Sequence, residues 1–132
     1  MTFAQIENAL GQRLATMAAV PPIAWPNADA PGAVPYLQVS HFPNTRTNPV
    51  LSGGGHNVLT GIFLVTVVAP RNAFTGPAST IAQAVADRFP KALHLTAGDG
   101  HVVITDPSEP VPGFTDGTYW RVPIRIRYTT EG

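Results

Sequence analysis

The side chains this sequence offers for chemistry are four histidines, eight carboxylates and eight lysines and arginines, with no cysteine. The missing cysteine excludes disulfides, thiolate nucleophiles and Cys-ligated zinc. His41, His56, His94 and His101 are the candidates for a metal site. None has a partner at the i, i+4 helical spacing that zinc enzymes use, and none sits near a carboxylate cluster. His94 and His101 flank a predicted hairpin and could be neighbours, but ordinary strand or surface histidines are the simpler reading. The segment Ser52-Gly53-Gly54-Gly55-His56 has the composition of a phosphate loop. Phosphate cradles need a helix start directly after the glycines, usually with Lys-Ser/Thr, whereas here Asn57 and a predicted strand follow. There is no Gly-x-Ser-x-Gly elbow. A Ser/His/Asp triad meets only in space, and the eight acidic residues are scattered, mostly in predicted loops. No catalytic residue, metal or cofactor is assigned.

Two groups of residues suit binding better than catalysis. Arg121, Arg125 and Arg127 alternate along the last predicted strand and so share one face of it. They form either a solvated sheet face or a stripe lining an interface or a lumen, since guanidinium groups pair bidentately with carboxylates of a neighbouring subunit. The polar loop Pro43 to His56 carries Arg46, Asn48, Leu51 and His56 beside a triple glycine. At roughly 14 residues it is long for a hairpin connection, and such loops are commonly functional or disordered. It reads either as a mobile surface loop or as one that orders on docking, at a cost in ordering entropy. These seven residues are the candidate interface with a neighbouring subunit or another assembly partner.

The elements that must position them can be read from periodicity. Thr2 and Gln5 have capping-box spacing. Phe3, Ile6, Leu10, Leu14 and Met17 then draw one apolar stripe on a helix from about Phe3 to about Ala18, ended by Val20-Pro21-Pro22. Ile23 to Trp25 is a short extended piece. Tyr36 to Phe42 alternates as a strand. Asn57 to Ala69 is apolar on both faces and predicts a central strand covered on both sides, a cover that another subunit could supply in part. A second helix runs from about Ala78 to about Arg88, closed by Pro90. Leu93 to Thr96 and His101 to Thr105 flank Ala97-Gly98-Asp99-Gly100, a hairpin signal. Asp106 to Thr118 reads as loop. Tyr119 to Thr129 is the last strand, in which Pro123 argues for an edge or a bulge. The order gives one α+β domain over residues 1–132, a mostly antiparallel sheet with two helices packed on one face.

Composition bounds the function. The chain has 132 residues, enough for one domain. Charged residues make up 12% and the formal net charge is zero, against about a quarter charged in ordinary soluble domains. Either other subunits cover part of the surface, or it is a neutral monomer with a Ser/Thr/Asn-rich surface. Nonspecific nucleic-acid binding draws on clustered Lys/Arg, and only the C-terminal segment is locally basic. The longest apolar run, Ile62 to Val68, is broken by Thr66 and is too short to cross a bilayer. No basic n-region precedes an apolar run at the N-terminus, so synthesis and retention in the cytosol are expected, with no membrane partner.

Taken in order, the segments resemble a known family. They are IENALGQRLATM, PPIAWPN, PYLQV, the glycine-rich loop leading into Gly61-Ile62-Phe63 with TVVAP behind it, RFP, LTAGDGHVVI and YWRVPIRIRY. Together they resemble the phage tail terminator-like proteins of siphophage tail modules, prophages and gene transfer agents, over nearly the whole chain. The resemblance implies a non-enzymatic structural virion protein at the head–tail junction, made in the host cytoplasm. It implies a homo-hexameric ring that sits on the last ring of tail tube protein, stops polymerisation, and offers a surface to the head–tail connector or stopper. DNA would pass through the ring lumen without sequence-specific recognition. Another small neck or tail-completion protein of the same module is the alternative. A small enzyme or ligand-binding domain is the more distant one.

Overall fold

The computed structural model describes residues 2–26, 35–48, 57–70 and 75–131. Helix α1, Phe3–Ala15, starts at the predicted capping box. The Gln5 amide donates to Thr2 Oγ1 at 3.2 Å, and the Thr2 amide donates back to Gln5 Oε1 at 2.9 Å. Ile6, Leu10 and Leu14 are fully buried, as the stripe required. The helix stops short of Ala18. The Thr16 hydroxyl donates to the carbonyls of Gln12 and Arg13, and Ala19 takes a left-handed φ of 54°. The turn is therefore broken before the prolines are reached.

The strands are β1 (Ile23–Ala24), β2 (Tyr36–Thr47), β3 (Val58–Pro70), β4 (His94–Ala97), β5 (Gly100–Ile104), β6 (Glu109–Pro110), β7 (Phe114–Asp116) and β8 (Tyr119–Glu131). They form one sheet in the order β1-β2-β3-β8-β5-β4, with β6 and β7 also paired to β8. Only β1–β2 is parallel. Helix α2, Thr75–Arg88, packs on β3 and β8, and α1 packs on β3 and β4. Both helices cover the face that carries Phe63, Val65 and Val67 of β3 and Val122, Ile124, Ile126 and Tyr128 of β8. Each such fully buried large apolar side chain contributes about 1.5–3 kcal/mol.

The helix C-termini clasp each other. Arg13 Nε donates to the Arg88 carbonyl at 3.0 Å, and Arg88 Nε donates to the Arg13 carbonyl at 2.9 Å. Arg88 Nη2 also donates to Thr16 Oγ1 at 2.7 Å. Each guanidinium donates to a last-turn carbonyl of the other helix, where intrahelical backbone donors run out.

The structure corrects five expectations. Residues 43–47, read as loop, extend β2, and its pairing with β3 continues to Thr47↔Val58 through a register shift between Pro43 and Thr45. Pro43 has the strand parity of Leu37, whose amide donates to the Pro22 carbonyl on the β1 side, and β1 pairs only as far as Gln38, so no ladder bond is asked of the missing amide. Helix α2 begins at Thr75, so Pro77 lies in its first turn, where a missing amide is harmless. The hairpin turns on Gly98-Asp99, with Ala97 opposite Gly100 and Gly98 at φ 58°. A glycine at the first central position suits a two-residue hairpin turn. The segment 106–118 supplies β6 and β7. Finally, Pro123 lies in an interior strand, opposite Thr66 of β3. The Pro123 carbonyl accepts from the Val111 amide at 2.7 Å, so its missing donor points to the same side, into the gap between β6 and β7. There no ladder bond is lost.

Candidate functional site

Pairing register builds one sheet face opposite the helices. Tyr36, Gln38, Ser40 and Phe42 of β2 lie beside Val68, Thr66, Leu64 and Ile62 of β3. These in turn lie beside Arg121, Pro123, Arg125 and Arg127 of β8. Phe114 of β7 is opposite Arg121, and Glu109 of β6 is opposite Arg125. Ala24, Tyr36 and Val68 form a small buried cluster at one end. Beyond that cluster, Ile62 and Leu64 are half-buried, and Phe42 and Phe114 are 53% and 49% exposed. The sequence predicts cover on both sides of β3; among the described residues this face is left largely open.

The three arginines differ. Arg121 is held inside the chain: Nε donates to Asp116 Oδ2 at 2.8 Å and Nη1 to Gln38 Oε1 at 2.8 Å. Arg125 and Arg127 are exposed, and their side chains make no hydrogen bond or ion pair among the described residues. Both line a depression of about 290 Å³ with Asp106, Glu109 and Pro110. Arg46 stands near the end of β2, where its Nε and Nη2 lie 3.1 and 2.9 Å from the Asn57 amide oxygen once that amide is turned to accept them. Asn48 directly follows β2. Leu51 and His56, with the rest of the triple-glycine loop, lie outside the described residues. The structure thus brings Arg121, Arg125 and Arg127 onto one face and puts Arg46 near its β2 end.

Two titratable clusters occur elsewhere. His41 Nε2 lies 2.6 Å from the Tyr128 hydroxyl, and Nδ1 lies 3.3 Å from Glu7 Oε1. The His41 side chain is 6% exposed and packs against the rings of Phe3 and Phe63. Burial lowers its pKa, opposed by the Glu7 charge. Burial, and then Glu7, hold the Tyr128 phenol well above its ordinary range. The cluster ties α1 to β2 and β8 and leaves no room for a substrate at the imidazole. It was missed in the sequence, although His41 shares strand parity with the core residues Leu37 and Val39. The second cluster is the histidine pair of the hairpin: the rings of His94 and His101 are 6.2 Å apart, edge to face. His94 Nδ1 bonds the Ala92 carbonyl at 2.7 Å and Nε2 lies 3.4 Å from Glu131. Among the described residues no group of three or more metal-type ligands is arranged to hold an ion, and no helix is long and apolar enough to cross a membrane.

One comparison with known proteins gives a family. A family model described as phage tail terminator protein matches residues 5–128. No curated protein matches. One solved structure, whose title states no function, is similar at TM-score 0.80 and 27% identity, covering 100% of this chain and 97% of that one. A chain from a structure titled virion of native gene transfer agent particle is similar at TM-score 0.65 and 17% identity, covering 96% of this chain and 95% of that one; at that identity the likeness is one of fold.

Proposed function

The chain belongs to the phage tail terminator family, a structural, non-enzymatic family of the virion tail, and from that premise we propose that it caps the completed tail tube as a ring. In this reading six copies close head to tail on the last tube ring, halt its growth, and present their far side to the head's connector. DNA passes through the lumen. The observation that carries the reading is the family match over residues 5–128. The largely open sheet face supports it, because a ring subunit needs surface that only its neighbours cover.

The interface residues follow from the same reading. Arg125 and Arg127, exposed and unpaired among the described residues, contact a neighbouring subunit, and Arg121 braces β7 and β2 behind them. Arg46 and Asn48, with Leu51 and His56 beyond them, face the tube end. Contacts from this segment to the tube end would distinguish tube end from tube side. The test is to add purified protein to polymerising tail tube protein. Tubes should stop growing in proportion to the protein added. Tubes of unchanged length, with no protein at their ends, would reject the reading.

A further inference from the structure

A closed ring repeats one heterologous contact, so each chain must carry two different, complementary patches. The sheet face supplies one. Phe42, Ile62 and Arg127 form a row across β2, β3 and β8. In that row an exposed aromatic and a half-buried aliphatic side chain stand beside a cation without a partner among the described residues. Asp106 and Glu109 lie on the other side of β8 from Ile62, and neither pairs with Arg127.

The second patch lies on the helix layer. Trp25 leans on α1 at Gly11, where an added Cβ would come within 3.0 Å of the indole. The ring is still 39% exposed. Glu7, Asn8, Gln12, Trp25 and Pro26 line a groove of about 300 Å³. Among the described residues Glu7 is its one carboxylate; the side chain is 39% exposed and engages His41 through Oε1. An aromatic face beside a carboxylate is a setting that suits a guanidinium, which stacks on one and bonds the other. Among the described residues the sheet row has a cation that no acid bonds, and the groove has an acid and an indole with no Lys or Arg.

Resting on the ring reading, we propose that the open sheet face of one copy seats on the Trp25 groove of the next, with the Arg127 guanidinium entering between Trp25 and Glu7. Trp and Arg are the residue types that most often carry an interface's energy. The contact joins opposite faces of the molecule, which makes it head to tail rather than two-fold.

The chain's lack of cysteine makes the test direct. Gln12→Cys and Phe42→Cys are prepared as single variants and as a double variant, and oxidised in the presence of tail tubes. Wild-type size is followed in parallel. The expected result is a disulfide between Gln12→Cys and Phe42→Cys chains when the single variants are mixed, and a ladder of linked oligomers from the double variant. Trp25→Ala and Arg127→Glu should each raise the concentration needed for assembly by about tenfold or more, with the double substitution little worse than either alone. Rings that form without the mixed disulfide, or that link only like positions, would overturn the pairing and leave the ring reading standing. A wild-type chain that stays monomeric even on tubes would overturn both.

Discussion

His41 shows how burial converts a candidate chemical group into a structural one. Its ring is enclosed by Phe3, Phe63 and Tyr128, and both nitrogens face partners. Burial holds its pKa below the ordinary value of about 6.5. The unfolded chain then binds the proton more readily than the folded one. Stability is unaffected above that value and falls as pH drops below it, down to the depressed folded pKa. Thermal unfolding from pH 7.5 to 5 should show this loss, and His41→Phe should flatten that part of the profile; an unchanged slope in the variant would assign the loss to other groups. Gly61 is the other residue set by this cluster. A Cβ there would meet the Tyr128 hydroxyl at 2.5 Å and the Phe42 carbonyl at 2.8 Å. Gly61→Ala should destabilise by roughly 1–3 kcal/mol in denaturant unfolding. Neither contact is legible in the sequence, because both depend on which strands become neighbours. The proximity of His94 and His101 was legible, since one hairpin carries both.

At the scale of elements, local signals predicted well and pairing partners did not. The Thr2–Gln5 box and the Ile6, Leu10, Leu14 stripe place α1 from spacing alone. Pro43 and Pro123 fit inside strands for one reason: a proline is unfavourable there only where its amide would have supplied a ladder bond. At Pro43 the amide faces the edge of β2 beyond the end of β1, and at Pro123 it faces the gap between β6 and β7. Strands β6 and β7 are two and three residues long and exist only because β8 offers its second edge. The clasp of Arg13 and Arg88 joins residues 75 positions apart, beyond any spacing rule. Arg88→Ala removes the donor to the Arg13 carbonyl and to Thr16 and should cost about 1–2 kcal/mol. In a double-mutant cycle with Arg13→Ala the two losses should be non-additive; strict additivity would mean that the two helix ends act independently.

The whole molecule is an α+β domain whose two helices cover one face of the sheet and leave most of the other open among the described residues. The fold class was legible because each segment's period, length and punctuation point the same way. The open face was only half legible. Apolar residues on both sides of β3 indicate that something must cover it, but not whether the cover belongs to the same chain. Arg125→Glu and Arg127→Glu should leave circular dichroism and melting unchanged while weakening assembly, since neither side chain has a partner among the described residues. Loss of folding in either variant would show that these arginines serve the domain rather than its neighbours. The most direct measurement is electron microscopy of particles from cells that lack this protein. A terminator predicts headless tubes of uncontrolled length; tubes of normal length would contradict it.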